Sequence, residues 1–323
     1  MVDLSWYHNR RALVLGASGF IGRWVARGLA ALDVDVHIGV RDPTHAAGLL
    51  RPYVEGAPIH AADAVDLTTI NKLLDTLQPD IVFNLIGYGI NRDERDEATA
   101  ALVNAELPRQ LCEYVAALDG TDWPGMRFVH VGSALEYGTA SGDLREDTNP
   151  APTTVYGRSK LAGTRSVFEV SKALRVPSVT ARLFTVYGPG EHPNRLLPCL
   201  MRASIANTSI DLTDGMQHRD FGYVEDIATG LIGLGSTPGD AGAIVNVATG
   251  TLQTVRRFVE VSAKVLGLSA RQLKFGALPT RPEEMSHESV NLNRLRQRLN
   301  WYPSPSIADG VRRALAFENR MGQ

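Results

Sequence analysis

Tyr156-Gly157-Arg158-Ser159-Lys160 sets a phenol and an ammonium four residues apart. If the stretch is helical, positions i and i+4 share a face and the two groups lie side by side. A free phenol, with a pKa of about 10, is a poor acid–base group at neutral pH, and a close cation favours its phenolate. The pair therefore suits proton transfer to or from a hydroxyl or carbonyl oxygen. Lysine is scarce here, with only Lys72, Lys160, Lys172, Lys264 and Lys274 among 33 basic residues. With nine tyrosines, a chance Tyr-x-x-x-Lys is expected about 0.14 times in such a chain. Upstream, Ser133 lies in Gly132-Ser133-Ala134-Leu135-Glu136-Tyr137-Gly138, at the end of the apolar run Arg127–Ser133. A lone serine at a strand end ordinarily caps a turn. At the carboxyl end of a strand in an open α/β sheet it would face the ligand crevice and could hydrogen-bond a substrate oxygen.

The N-terminal region carries a second pattern, one that suits a phosphate. Gly16-Ala17-Ser18-Gly19-Phe20-Ile21-Gly22 links the first apolar strand to the first helical pattern. Three glycines three apart permit a tight turn, a close backbone approach to a pyrophosphate, and close helix–strand packing. Ser18, Phe20 and Ile21 then stand with the glycines where the helix N-terminus meets the anion. Among 30 glycines this spacing arises by chance in about one unrelated chain in four. Its position between first strand and first helix is what points to a dinucleotide. The second strand ends Gly39-Val40-Arg41-Asp42-Pro43. A carboxylate there would chelate the adenosine ribose, and an arginine would pair with a 2′-phosphate. Arg41 comes first and Asp42 before Pro43 suits a turn, so NADP(H) is preferred, with NAD(H) the alternative. Asp63, beside Ala64, could accept from the adenine amino group, whereas Asp66 reads as the N-cap of a helix from Leu67.

Stepping outward, strand-like runs alternate with helical patterns. Strands are predicted at Arg11–Ala17, Val34–Val40, Pro58–Ala62, Asp80–Ile86, Arg127–Ser133, Ser178–Phe184 and Ala243–Ala248. Helices are predicted at Phe20–Leu32, Leu67–Leu77, Glu94–Leu118, Tyr156–Leu174 and Val255–Leu266. Continuously apolar strands are buried on both faces, as in a parallel sheet covered by helices. The fold class is therefore α/β, a doubly wound parallel (Rossmann) sheet with a smaller C-terminal substrate-binding domain. The dinucleotide-binding domain is expected over residues 1–185 and about 222–250. The substrate-binding domain is expected over about 186–221 and 251–323.

Composition bounds the rest. The 323 residues are 44% hydrophobic and 21% charged, which excludes wholesale disorder. A net charge of −2 excludes a nucleic-acid footprint. No apolar run is long enough to span a membrane, and the N-terminus has no signal-peptide stretch. Two cysteines, Cys112 and Cys199, cannot form a disulfide framework and read as buried free thiols in a cytoplasmic protein. No metal is expected.

Taken in order, these residues resemble the extended short-chain dehydrogenases/reductases, in the branch that modifies nucleotide sugars. Gly16, Gly19 and Gly22 match the spacing of its phosphate loop, and Asp63 its adenine-contact position. Asn84-Leu85-Ile86-Gly87 stands where its fourth strand ends near the cofactor, and Asn104 matches the structural Asn of its fourth helix. Ser133, Tyr156 and Lys160 match its catalytic set. Tyr187-Gly188-Pro189-Gly190, Arg219-Asp220-Phe221 and Arg281-Pro282-Glu283 match segments that shape its sugar-nucleotide site. The resemblance implies that Ala64, Leu85, Ile86, Gly87 and Asn104 attend the cofactor. It implies that Thr185, Arg219 and Arg281 join Ser133 and Tyr156 around the substrate. Guanidinium forks suit a pyrophosphate, although surface ion pairing is the ordinary role of an arginine.

Two departures narrow the chemistry. Dehydratase relatives carry Asp and Glu directly after the active-site Ser/Thr. Here Ala134 and Leu135 stand there and hold no proton. Glu136, one position later, would point to the other face if the strand continued. Thr185 replaces an Asn found in many relatives. The expected activity is NADPH-dependent reduction of a nucleotide-linked 4-keto-6-deoxyhexose, with Tyr156 as proton donor. The alternative is a nucleotide-sugar epimerase with retained NAD. A non-catalytic dinucleotide sensor is the remote third, because such a protein would be expected to have lost Tyr156 or Lys160. The resemblance also implies a homodimer, joined through the helices Glu94–Leu118 and Tyr156–Leu174.

Overall fold

The computed structural model describes residues 4–90, 94, 96–118, 120–280, 285–303 and 306–321. From the N-terminus run β1 (Arg11–Leu15), α1 (Phe20–Ala30), β2 (Asp35–Val40), α2 (Pro43–Leu50), β3 (Ile59–Ala61), α3 (Leu67–Leu77) and β4 (Ile81–Asn84). Next come α4 (Glu97–Ala101), α5 (Leu107–Ala117), β5 (Phe128–Ser133), β6 (Asp143–Leu144), α6 (Val155–Leu174), β7 (Ser178–Leu183) and β8 (Thr185–Tyr187). The chain continues with α7 (Leu196–Ala206), β9 (Ile210–Leu212), β10 (His218–Tyr223), α8 (Val224–Ser236), β11 (Ala243–Val247), β12 (Leu252–Thr254) and α9 (Val255–Leu266). It closes with β13 (Leu273–Phe275), β14 (Ser289–Val290), α10 (Asn293–Leu299) and α11 (Ile307–Met321).

Seven strands form one parallel sheet in the order β11-β7-β5-β4-β1-β2-β3. Successive side chains of a strand alternate between faces. In β1, Ala12 and Val14 join one core with Trp24, Val25 and Leu29 of α1 and Ile227, Leu231 and Ile232 of α8. Leu13 and Leu15 join the other, with Ile70 and Leu74 of α3, Leu111 and Val115 of α5 and Val167 of α6. Helices thus cover both faces, which explains why the strands read as apolar throughout. The order reverses beside β1, and the crevice at such a reversal, outside the carboxyl ends of the strands, is where open α/β sheets bind ligands. Gly16, Leu85 and Ser133 all lie there. A second core of Tyr187, Leu200, Phe221, Phe258, Leu266 and Val311 supports a small sheet, β12-β10-β8. No helix among the described residues is long and apolar enough to cross a membrane.

Three of the differences from the sequence reading shape the frame of the sheet. The helix expected over Glu94–Leu118 is broken into α4 and α5 by a π-helical turn, Leu102–Glu106. Pro108 has no N–H to donate to the carbonyl of Asn104, so the turn widens there. That carbonyl faces α6, where a Cβ on Gly163 would lie 2.0 Å from it. The helix α2 was not expected. Pro43 sits at its start and the Asp42 side chain caps it by accepting from the His45 N–H at 3.0 Å. The helix α8 is buried along most of its length, so it carries no amphipathic stripe to read.

At the β1–α1 turn, a Cβ on Gly22 would stand 2.3 Å from the Gly16 carbonyl oxygen. Gly22→Ala should therefore push α1 off the strand and cost about 1–3 kcal/mol. Urea unfolding measures this, and an unchanged midpoint would contradict the packing described.

Candidate active site

The strand β5 stops at Ser133 because the next residues turn into a single 3₁₀ turn, Ala134–Glu136. The Ser133 Oγ accepts the Leu135 N–H at 3.2 Å, and the Glu136 carboxylate accepts the Ser133 N–H at 2.8 Å. This is a capping box. It overturns the outward placement that a continuing strand would give Glu136, whose side chain is instead 0% exposed beneath Ser133. There the carboxylate also accepts from Thr164 Oγ1 at 3.0 Å and from Arg182 Nε at 2.8 Å. Ala134 and Leu135 offer no proton, as the sequence indicated.

Tyr156 and Lys160 lie in the first turns of α6, which Thr154 caps by accepting the Gly157 N–H at 3.0 Å. The Ser133 side chain neighbours the Tyr156 phenol. Burial, and then the Glu136 charge, push the phenol up to about 12, while Ser133 and Arg195 pull against them. Lys160 is buried one turn on. Burial pushes its ammonium down to about 8, and Glu136 opposes that fall. Neighbouring His130 is fully buried, and burial and the Lys160 charge hold it well below the usual imidazole range. Hence Tyr156 and Lys160 share one face of α6, near Ser133 at the end of β5, and both feel the Glu136 charge.

Asn104 braces this corner. Its amide donates to the Tyr88 carbonyl at 2.7 Å and to Ser159 Oγ at 2.9 Å, and its oxygen accepts the Tyr88 N–H at 3.0 Å. Ser159 in turn donates to the Tyr156 carbonyl at 3.0 Å. The carboxamide is thus engaged within the protein, which suits the structural role expected of that position.

The glycine turn forms the other wall. Gly16 has φ +78°, and a Cβ there would lie 2.9 Å from the Ile86 nitrogen. This close approach sets Leu85, Ile86 and Gly87 beside the turn. Gly19 caps α1, whose first turn contains no acid, and Ser18, Phe20 and Ile21 flank it. The Ser18 carbonyl is held by Arg23 at 2.8 Å. Such a cradle fits a dinucleotide pyrophosphate. Arg41 is exposed at the end of β2, and Asp42 is committed to capping α2. The Asp63 carboxylate accepts the Val65 N–H at 3.1 Å, with Ala64 half-buried beside it. Asp66 caps α3 as expected, accepting from the Thr68 N–H.

Toward the smaller sheet, Thr185 on β8 pairs with Phe221 on β10, two residues beyond Arg219. Arg219 is half-buried and donates to the His218 carbonyl at 3.0 Å. Burial and the Arg219 charge hold His287 down at about 4. Asp220 anchors the loop after β11 by accepting the N–H groups of Thr249, Gly250 and Thr251. Arg281 lies outside the described residues. The sequence reading missed Glu191, a buried carboxyl that desolvation pushes up to about 7, with Arg195 at 3.7 Å. It also missed Arg182, whose signal was a charged residue inside an otherwise apolar strand. Cys112 is buried as expected, but Cys199 is partly exposed beside Arg202.

The sequence model of the NAD dependent epimerase/dehydratase family matches residues 12–248. A dTDP-6-deoxy-L-talose 4-dehydrogenase (NAD(P)(+)) from Kitasatospora kifunensis is 29% identical over 319 residues, covering 94% of this chain and 93% of that protein. A dTDP-L-rhamnose 4-epimerase from Burkholderia thailandensis is 26% identical over 348 residues, covering 96% and 95%. Among solved structures, a UDP-glucuronic acid 4-epimerase from Bacillus cereus, in complex with UDP-glucuronic acid and NAD, has a TM-score of 0.80 at 24% identity. It covers 96% of this chain and 99% of that one, a likeness of fold. With more than half its length matched and its glycine turn and Ser–Tyr–Lys set in place, this chain belongs to the NAD dependent epimerase/dehydratase family of enzymes.

Proposed function

We propose that this enzyme reduces a carbonyl on a nucleotide-linked sugar, with a 4-keto-6-deoxyhexose as substrate and NADP(H) as the preferred cofactor. The observation that carries the reading is the capped strand end that holds Ser133 near Tyr156 and Lys160 in the first turns of α6, with no acid or base at Ala134 or Leu135. Elimination of water needs an acid and a base at those positions, whereas carbonyl reduction needs one proton donor. A bound nicotinamide supplies the hydride. Ser133 holds the carbonyl oxygen, Tyr156 gives it a proton, and the Lys160 ammonium stabilises the phenolate left behind. An exposed Arg41 after β2 would suit a 2′-phosphate, and the use of Asp42 as a helix cap supports the same reading. Arg219, Thr185 and Arg281 are assigned to the sugar nucleotide, within a substrate-binding domain of about 186–221 and 251–323. The name of the Kitasatospora relative, a 4-dehydrogenase with NAD(P)(+), supports this assignment.

The epimerase reading has support of its own, from the Burkholderia and Bacillus relatives. The same phenol would then remove and return one proton with NAD retained. Net consumption of NADPH separates the two. Leu102, Phe168 and Leu174 leave apolar surface exposed along the α4–α5 and α6 helices, which supports a homodimer. Light scattering at the dimer mass would agree with it.

Incubated with a nucleotide-linked 4-keto-6-deoxysugar, the protein should bleach NADPH absorbance. Tyr156→Phe should lower that rate by about 10²–10⁴-fold while cofactor binding survives, and an unchanged rate would contradict the assignment. Activity that requires the Lys160 ammonium should decline as pH rises through about 8. A rate level to well above that pH would argue against its role. Arg41→Ala should weaken NADP(H) binding far more than NAD(H) binding in calorimetry, and equal weakening would refute the cofactor preference.

A further inference from the structure

Glu136 lies buried beneath Ser133 in the catalytic corner, and the proposed chemistry has given it no part. Its carboxylate binds the backbone of β5 through the Ser133 N–H, α6 through Thr164 and β7 through Arg182. A Cβ on Gly132 would lie 2.6 Å from its Oε1, so the strand has no room for another side chain there. Glu136 is 0% and Arg182 3% exposed. Arg182 also donates to the Glu146 carbonyl at 3.3 Å and stands over the Tyr137 ring at 4.7 Å.

We propose that Glu136 is a positioning residue for the catalytic set, one buried carboxylate that fixes Ser133 through its N–H, ties β5 to α6 and β7 through Thr164 and Arg182, and sets its charge in the corner that holds Tyr156 and Lys160. The inference rests on the reductive reading above, in which the phenol is the proton donor and must carry its proton when substrate arrives. The charged and titratable groups facing the pair can be named. From β5 come Ser133 and His130, and from the turn Glu136. From the loop after Gly89 comes Glu94, and from the loop before α7 comes Arg195. Burial is the largest influence on both catalytic groups. Among the charges, Glu136 is the one that acts on both. An anion favours the protonated form of each neighbour, so its charge opposes loss of the phenol proton and of the ammonium proton alike.

The test is Glu136→Gln, which keeps the shape of the side chain and removes its charge. The ultraviolet absorbance of the Tyr156 phenolate, isolated as the difference from Tyr156→Phe, reads the phenol directly without substrate. The phenolate should appear at a pH lower by about one unit. The alkaline limb of kcat/KM should move the same way by a similar amount, because loss of the anion eases deprotonation of both groups. A residue that only shaped the corner would lower kcat and leave both titrations in place. If Glu136→Gln does not fold, Glu136→Gln/Arg182→Met removes both members of the ion pair and should show the same downward displacement. A folded variant whose phenolate titration coincides with that of the parent protein overturns the inference. Failure of the parent protein to turn over any sugar nucleotide counts against the proposed function instead, and leaves the absorbance result readable.

Discussion

A strand that ends on a serine and turns at once into its own cap is the constraint on which the site depends. Because Glu136 takes the Ser133 N–H and the Ser133 Oγ takes the Leu135 N–H, the hydroxyl is fixed where α6 begins. A longer strand would turn Glu136 to the other face and leave Ser133 without that lock. The long helix must then arrive at the same corner. Thr154 caps it, and the π-helical turn widened at Pro108 opens a carbonyl toward Gly163, so the two helices approach closely. Two backbone irregularities, one in a strand end and one in a helix, thus bring the phenol to the hydroxyl.

Electrostatics follow from that packing. Burying Lys160 and Tyr156 in one corner disfavours the charged form of each. One buried anion, Glu136, opposes this for lysine and reinforces it for tyrosine. Its ion pair with Arg182 is fully desolvated, and removing one partner of such a pair costs about 3–5 kcal/mol. The corner therefore has a structural reason and a chemical reason to keep its charges matched. The glycine wall opposite carries few side-chain charges and works through backbone N–H groups and the helix N-terminus.

Much of this could be read in the residues themselves. The extents of α3 and α9 came directly from apolar spacing, and Asp66 was legible as a cap. The glycine turn, Ser133, Tyr156 and Lys160 were legible because their chemistry requires fixed types at short spacing. Other features were hidden for physical reasons. Helix α8 is buried along most of its length beyond its acidic first turn, so little of it shows a periodic face. Helix α2 hid behind Asp42-Pro43, which suits a turn and a helix start equally. The break at Leu102–Glu106 arises from one missing N–H, which no periodicity reports. The roles of Glu136 and Arg182, and the burial of Glu191, became visible only in three dimensions, because a buried charge is recognised by its partners and not by its neighbours in sequence.

The central claim is that this corner delivers a proton to a sugar carbonyl while a hydride arrives on the carbon. Tracing deuterium from labelled NADPH into the sugar by mass spectrometry tests it most directly. One deuterium on the reduced carbon, with one NADP formed per sugar, is the predicted result. Interconverted sugars that carry no label, with the cofactor unchanged, would contradict it.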